Sequence, residues 1–435
     1  MRSTFAPSPQ FRNTDTGERM TNPLPRPLAA VRNAQLPDGR VVDVSFASGV
    51  VSAITTAGTG GALEPALDLR GRLLLPAPAE PHAHLDKARS FDAADPKLGD
   101  LGSAIDAWRA HASAMSVESI VERARAQALA MLAAGTTAIR SHVDVLEDCG
   151  AGLEDVTRAA RALVQVRAEL AGLMDIQLVA LAGPHCPDHH VEAVLDAGIE
   201  LVGGAPHLAP DPAADLARLL AIAQRRGIGA DLHADENLAG PVTLDAYARA
   251  VRDWPDDRPR TASHCVRLGT LEPARRDAII ADVKAADLAI VTLPITNLYL
   301  QGWEHPVSTP RGLAPLRELL DAGVRLGAGA DNVRDPFNPV GRGDALETAS
   351  LLVTAGHLSP EEAYGLVSTG ARSVMGLPAA GTTVGAPADF LAIRAVNLVD
   401  AIATAPADRI VIHRGRVVAI TEARCELPAL SVPVS

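Results

Sequence analysis

The sequence predicts an α/β protein: a (β/α)8 TIM barrel carrying a small β-sandwich domain built from both termini. Three observations lead there. Eight short apolar runs alternate with helix-like stretches through the middle of the chain. Both ends are rich in β-like pieces separated by glycine turns. The 435 residues exceed one minimal domain, whereas a barrel of about 250 residues can be a single one.

The elements follow in order. Residues 1–25 are polar and proline-containing and are expected to be disordered; Met20 offers a second start. Short β-like pieces then run from Pro27 to Leu69, and the same style returns in "ADFLAIRA" and "RIVIHRGRVVAI". The sandwich is therefore assigned to 26–74 and 380–435, and the barrel to 75–379. Barrel strands are read in "RLLLPAPAEP", "TTAIRSHVDV", "DIQLVAL", "IELVGGAPH", "IGADLHADE", "RTASHC", "LAIVTLP" and "VRLGAGADN". Helices are expected at 117–134, 151–171, 212–226, 242–253, 271–285, 311–322 and 343–356. Strand count alone also allows an open doubly wound sheet.

Composition narrows the function classes. A net charge of −12 argues against a nucleic-acid partner. No run of about 18 apolar residues is present, which argues against a membrane span. The first residues lack the apolar stretch of a secretory signal. Cys149, Cys186, Cys265 and Cys425 are scattered, as expected of reduced thiols in a cytoplasmic protein. A homo-oligomer is expected.

The chemistry starts in "EPHAHLDK". On a strand, residues i and i+2 share a face, so His82 and His84 project together. They do so at the C-terminal end of the first candidate strand, where a barrel carries its active site. Two imidazoles on one side can chelate a cation at about 2.0–2.1 Å. Alone, the pair is a weak signal. However, His233 in "DLHADE", His264 in "TASHC" and Asp331 in "GAGADN" end the fifth, sixth and eighth candidate strands. Nitrogen and oxygen donors of this kind suit zinc, iron(II) or manganese.

With these residues in view, the chain resembles the amidohydrolase superfamily, and within it the cytosine deaminase-like branch. The pieces that carry the resemblance are "EPHAHLDK", "RSHVDV", "DIQLVA", "GGAPH", "HADEN", "ASHC", "NLYLQG" and "GADNVRDPFNP", spread over residues 70–345. The resemblance implies one divalent metal ion, zinc or iron(II), on His82, His84, His233 and Asp331. It implies catalytic roles for Glu236, His264 and Asp331. Glu236 would be the acid/base, and His264 would hold the attacking water or the substrate oxygen. Gly183, Asn332 and Phe337 would face a small N-heterocyclic substrate, and His207, read at the mouth end of the fourth strand, is assigned to the substrate or to support of the ligands. The expected reaction is hydrolysis of a ring C–N bond with release of ammonia or an alkylamine. A cyclic amide hydrolase and a catalytically silent scaffold are the alternatives.

The residue types suit such chemistry. A divalent ion lowers the pKa of water towards about 7. A carboxyl group can shuttle the proton that makes the ring electrophilic. Asp331 can take a proton from the water and pass it to the leaving amine. Only three lysines occur, Lys87, Lys97 and Lys284, and none ends the fourth strand, which disfavours the dinuclear members that use a carbamylated lysine there. The departures concern the substrate. Cytosine deaminases carry glutamine where "VALAG" has Gly183, a second aspartate where Asn332 stands, and tryptophan at Phe337. The asparagine is similar to that of the isopropylammelide hydrolases. A changed hydrogen-bonding edge points to a changed substrate. His142 and Asp144 share a face and are read as either support for the ligands or packing. His185, His189 and His190 are read as solvated loop residues.

Overall fold

The computed structural model describes residues 24–61, 63–147, 152–424 and 426. Residues 1–23, most of the segment expected to be disordered, lie outside the described residues, as do Cys149 and Cys425. The remaining cysteines, Cys186 and Cys265, are both buried.

Eight parallel strands form the barrel: β1 (Ala79–Ala83), β2 (Ala138–Val145), β3 (Asp175–Ala182), β4 (Leu201–Gly204), β5 (Ala230–Ala234), β6 (Arg260–His264), β7 (Ala289–Thr292) and β8 (Leu326–Ala328). Each pairs with the next in chain order. Helices lie between most of them, for example Val117–Ala133 and Pro212–Arg226. Ser116 and Asp211 cap these two by accepting from the backbone N–H groups of Ser119 and Ala214. The expected helix at 311–322 is shorter, Leu316–Asp321, because Pro315 disfavours helical backbone in the residue before it.

Closure of β8 onto β1 rests on a buried acid. The Glu80 carboxylate accepts from the N–H of Ala330 at 2.8 Å and of His82 at 3.1 Å. A parallel bridge joins Ala83 to Asp331. A Cβ at position 329 would lie 2.1 Å from Glu80 Oε1, so Gly329 is needed for the carboxylate to fit.

The run at 72–81, expected as one barrel strand, is two strands in different sheets. Leu73–Pro76 joins the terminal sheet, and the barrel strand starts only at Ala79. The prolines at 76 and 78 have no N–H to donate to a continuing ladder, which explains the break.

The second sheet has nine strands drawn from 26–76 and 390–421. Phe46 stacks on Phe390 with ring centroids 5.9 Å apart, although two strands separate theirs in the sheet order. Strands about 4.8 Å apart would hold them farther away in a flat sheet, so this sheet curls over its own core as a sandwich. Its central strands are buried on both faces. Leu74, Phe390, Ala392 and Ile410 pack inside the sandwich, while Leu73, Leu75, Leu391 and Val411 pack against the barrel. Burial on both faces explains why these strands read as unbroken apolar runs. Among the described residues, no helix is long and apolar enough to cross a membrane.

Candidate active site

The C-terminal ends of the barrel strands deliver one cluster. His82 is in β1 with His84 just beyond it, His142 is in β2, His233 in β5 and His264 ends β6. Asp331 follows β8. His264 and Asp331 have φ of 72° and 62°, so the chain turns through left-handed backbone as it leaves these strands. That conformation costs side-chain-bearing residues energy and is often kept at functional sites.

Donor atoms converge. His84 Nε2 lies 3.2 Å from Asp331 Oδ1 and 3.3 Å from His233 Nε2, and His82 Nε2 lies 3.7 Å from Asp331 Oδ1. Donors bonded to one cation at tetrahedral angles sit roughly 3.4 Å apart. Among the described residues, His82 Nε2, His264 Nε2 and Asp331 Oδ1 are buried without a hydrogen-bond partner. Buried polar atoms left bare in this way are costly unless something fills the site. The donors therefore fit a divalent cation. Two triads, His82–His142–His233 and His82–His264–Asp331, have the spacing to hold one. His142 is thus inside the cluster, its ring centroid 4.0 Å from that of His82 and tilted 34° to it, and not merely beside it.

Neighbours set the tautomers. His82 Nδ1 is 2.9 Å from Ser263 Oγ, which in turn donates to Asp231 Oδ1 at 3.3 Å. Ser263 then accepts from Nδ1–H, leaving the His82 lone pair on Nε2. Asn297 Nδ2, which can only donate, is 3.0 Å from His264 Nδ1. With the amide so placed the His264 proton sits on Nε2, so His264 faces the cluster as a hydrogen-bond donor and not as a cation ligand. The Lys87 ammonium is 3.2 Å from His84 Nδ1 and 2.6 Å from Asp144 Oδ1. A proton must leave the His84–Lys87 pair before His84 Nε2 can ligate, which couples cation binding to proton release.

Burial, reinforced by neighbouring positive groups, holds His82, His84, His142 and His233 well below the usual imidazole range. They are neutral and offer lone pairs. Burial also pushes His264 down to about 3. It pushes the Glu236 carboxyl up to about 8, with Glu236 Oε1 3.6 Å from His264 Nδ1. A nearby cation would draw this carboxyl back towards neutrality, into the range a proton shuttle needs.

The cluster opens into a cavity of about 580 Å3. His84, His233, Glu236, His264, Asp331, Gly183, Asn332 and Phe337 all line it. His207 does not: it lies behind His233, with Nδ1 3.3 Å from the His233 carbonyl. Asn332 faces the cavity but spends its amide on Asp335 Oδ2 at 2.8 Å. Helix Leu101–Ala112 adds Trp108 to the wall, with Lys87 Nζ 5.4 Å from its ring. Asp144, weighed with His142, binds Lys87 and the Trp108 indole N–H instead. His189 and His190 are on a helix, Asp188–Asp196, and His190 is buried with Nδ1 3.0 Å from the Leu146 carbonyl; the loop reading failed there. A period of 3.6 in His190, Val191, Val194 and Leu195 was the available signal.

Sequence reasoning gave no role to Glu80, Asp231, Ser263, Arg140, Asn297, Trp108 or Glu147. Three of these had a local signal. Arg140 precedes His142 by two residues, Asp231 precedes His233 by two, and Glu80 precedes His82 by two, so each shares a strand face with a cluster imidazole.

Fold and site together define a class: a barrel enzyme whose mouth can hold a divalent cation beside a buried carboxyl group. The chain belongs to the amidohydrolase family, whose profile matches residues 113–419. It is 32% identical over 383 residues to a pterin deaminase of Rhizobium rhizogenes strain K84, covering 86% of this chain and 87% of that one. It is 28% identical over 419 residues to the N-isopropylammelide isopropyl amidohydrolase of Pseudomonas sp. strain ADP, covering 89% and 96%. Among solved structures, the 5-methylcytosine deaminase of Klebsiella pneumoniae liganded with phosphonocytosine superposes with a TM-score of 0.81 at 25% identity, covering 92% of this chain and all of that one. The protein is a hydrolase of carbon–nitrogen bonds other than peptide bonds.

Proposed function

We propose that the protein is a hydrolytic deaminase of an amino-substituted N-heterocycle, working with one divalent ion, zinc or iron(II). His82, His84, His233 and Asp331 would hold the ion. When bound, such an ion supplies Lewis-acid activation of water at neutral pH. The observation that carries the reading is the pairing, on one cavity wall, of partnerless buried donors with the buried Glu236 carboxyl.

The chain's own residues then divide the work. Glu236, protonated in its apolar setting, donates to the ring nitrogen beside the reacting carbon. It takes a proton from the attacking water and returns it to the departing amine, so the amino group leaves as ammonia and oxygen replaces it on the ring. His264, with its proton on Nε2, donates to the oxygen as charge develops there. Asp331 offers a second carboxylate for the water proton. Trp108, Leu146, Leu181 and Phe337 supply apolar walls that exclude solvent.

The cavity has room for a fused bicyclic substrate: its volume lies within the roughly 300–1,000 Å3 of small-molecule sites. The pterin deaminase relative supports the same choice and favours ammonia as the leaving group. A cytoplasmic, homo-oligomeric enzyme belongs to the same proposal. Exposed Trp303 and Val307 on one loop support self-association. The test is an ammonia-release assay on pterin, 5-methylcytosine, cytosine and N-isopropylammelide, with elemental analysis of the same sample. Ammonia from pterin with about one metal per chain is expected. Ammonia from none of them would refute the proposal.

A further inference from the structure

Gly183 follows β3 on the cavity wall, and its φ lies outside the left-handed region, so the backbone does not itself require glycine. One neighbour stands where a side chain would begin. A Cβ at 183 would lie 1.8 Å from Glu147 Oε1, 2.6 Å from its Cδ and 3.2 Å from its Cγ, and these are its three nearest atoms. The register explains the approach. Val145 pairs with Ala182, so the chain two residues beyond β2 reaches over the start of the β3 loop. The Glu147 carboxylate therefore fills the volume that a residue at 183 would take, and it lines the cavity.

It is held in place. Arg109 Nη2, from helix Leu101–Ala112, donates to Glu147 Oε2 at 2.8 Å, and the His185 N–H donates to Oε1 at 3.4 Å. Arg109 also lines the cavity. As a surface ion pair this contact would add little to stability. As a recognition element it has a definite polarity. An ionised carboxylate only accepts and a guanidinium only donates. Side by side they match a lactam edge, in which an N–H stands next to a carbonyl oxygen.

We infer that Glu147, backed by Arg109, is the specificity-determining pair: it reads the lactam edge of the heterocycle in place of a side chain at 183. Glu147 accepts from the ring N–H, and Arg109 donates to the carbonyl oxygen. This rests on the deaminase reading and adds the substrate class, 2-amino-oxo bicyclic rings rather than diamino rings. A diamino ring inverts the pattern, presenting a bare ring nitrogen to the carboxylate and an amine to the guanidinium. Sites that read an edge by hydrogen bonds of fixed polarity discriminate against the mismatched edge.

Pterin and 2,4-diaminopteridine provide the test, since both carry the 2-amino group and differ at this edge. The metal-loaded full chain should favour pterin in kcat/KM by at least about a thousandfold. Glu147→Gln, whose amide can present either polarity, should keep turnover of pterin within about tenfold while lowering the preference to about tenfold or less. Glu147→Ala should also lose the preference, through a larger fall on pterin than on 2,4-diaminopteridine. Metal content should be unchanged in both variants. The double variant Glu147→Ala/Gly183→Gln, in which the steric obstacle to a side chain is gone, should regain turnover of pterin. An unchanged preference in both single variants, or an equal loss on both substrates, would overturn the inference while leaving the deaminase reading intact. Wild-type protein that releases ammonia from neither pteridine nor any monocycle would remove the reading on which it rests.

Discussion

On β2 the side chains of Arg140 and His142 enter the barrel one pleat apart, and on β5 Asp231 and His233 do the same. The lower layer is largely knitted together, with Arg140 Nη2 left without a partner among the described residues. Arg140 Nη1 donates to Asp231 Oδ2 at 2.8 Å and to Thr261 Oγ1 at 3.1 Å, and Nε donates to Gln177 Oε1 at 2.9 Å. The upper layer is left open, with both nitrogens of His142 and the inward atoms of His82, His264 and Asp331 lacking hydrogen-bond partners among the described residues. Both layers are equally buried. Polar groups that meet each other hold the barrel together, whereas polar groups that converge on a point without meeting are built for something that binds there. Ser263 joins the layers, touching His82 above and Asp231 below.

Substitutions can break this contrast, and the largest effect belongs to the upper layer. His233→Ala should reduce bound metal from about one per chain to almost none and take turnover to background, with far-UV circular dichroism unchanged. Retention of stoichiometric metal by elemental analysis would show that the donors do not act as one set. In the lower layer Arg140→Met should leave Asp231 buried without its cation. Breaking a buried pair from one side costs about 3–5 kcal/mol, read as a lower denaturant midpoint. A midpoint equal to wild type would mean that this ion pair is not what steadies the barrel.

Glu236→Gln comes next. It keeps the size but cannot cycle a proton, so turnover should fall by about a hundredfold or more with metal content unchanged. Near-full turnover would move the acid/base role to His264 or Asp331. The smallest effect sharpens the comparison at the joint. Ser263→Ala frees the His82 ring while leaving the lower ion pair in place. Outer partners of metal-ligating histidines typically contribute about 10–100-fold in affinity. Competition with a chelator should show a loss of that size, with the denaturant midpoint close to wild type; no change in affinity would show that Ser263 does not orient His82.

Much of the upper layer is legible in the chain because its information is local. The spacing of His82 and His84, and the strand ends at His233, His264 and Asp331, follow from the period-2 geometry of a strand and the alternation that makes a barrel. The curled sheet was legible as two β-rich ends. The split of 72–81 between two sheets was missed because an apolar run reads the same whichever sheet it enters; only the prolines mark the break. The substrate wall was the least legible part. Trp108 and Arg109 arrive on a helix between β1 and β2, and His190 was hidden in a segment that looked like a polar loop.

By itself the sequence determined which side chains point into the barrel and at which end they stand. Strand periodicity and chain order decide that before any long-range contact forms. Only the tertiary structure decided which of those groups meet. Glu80 reaches Ala330 across 250 residues. Asn297 meets His264 from helix Pro294–Leu300, which follows β7. Glu147 occupies the space that a Cβ at position 183 would take. Such pairings depend on strand register and barrel closure, where distances of a few ångströms decide whether two polar groups satisfy each other or remain open to a ligand.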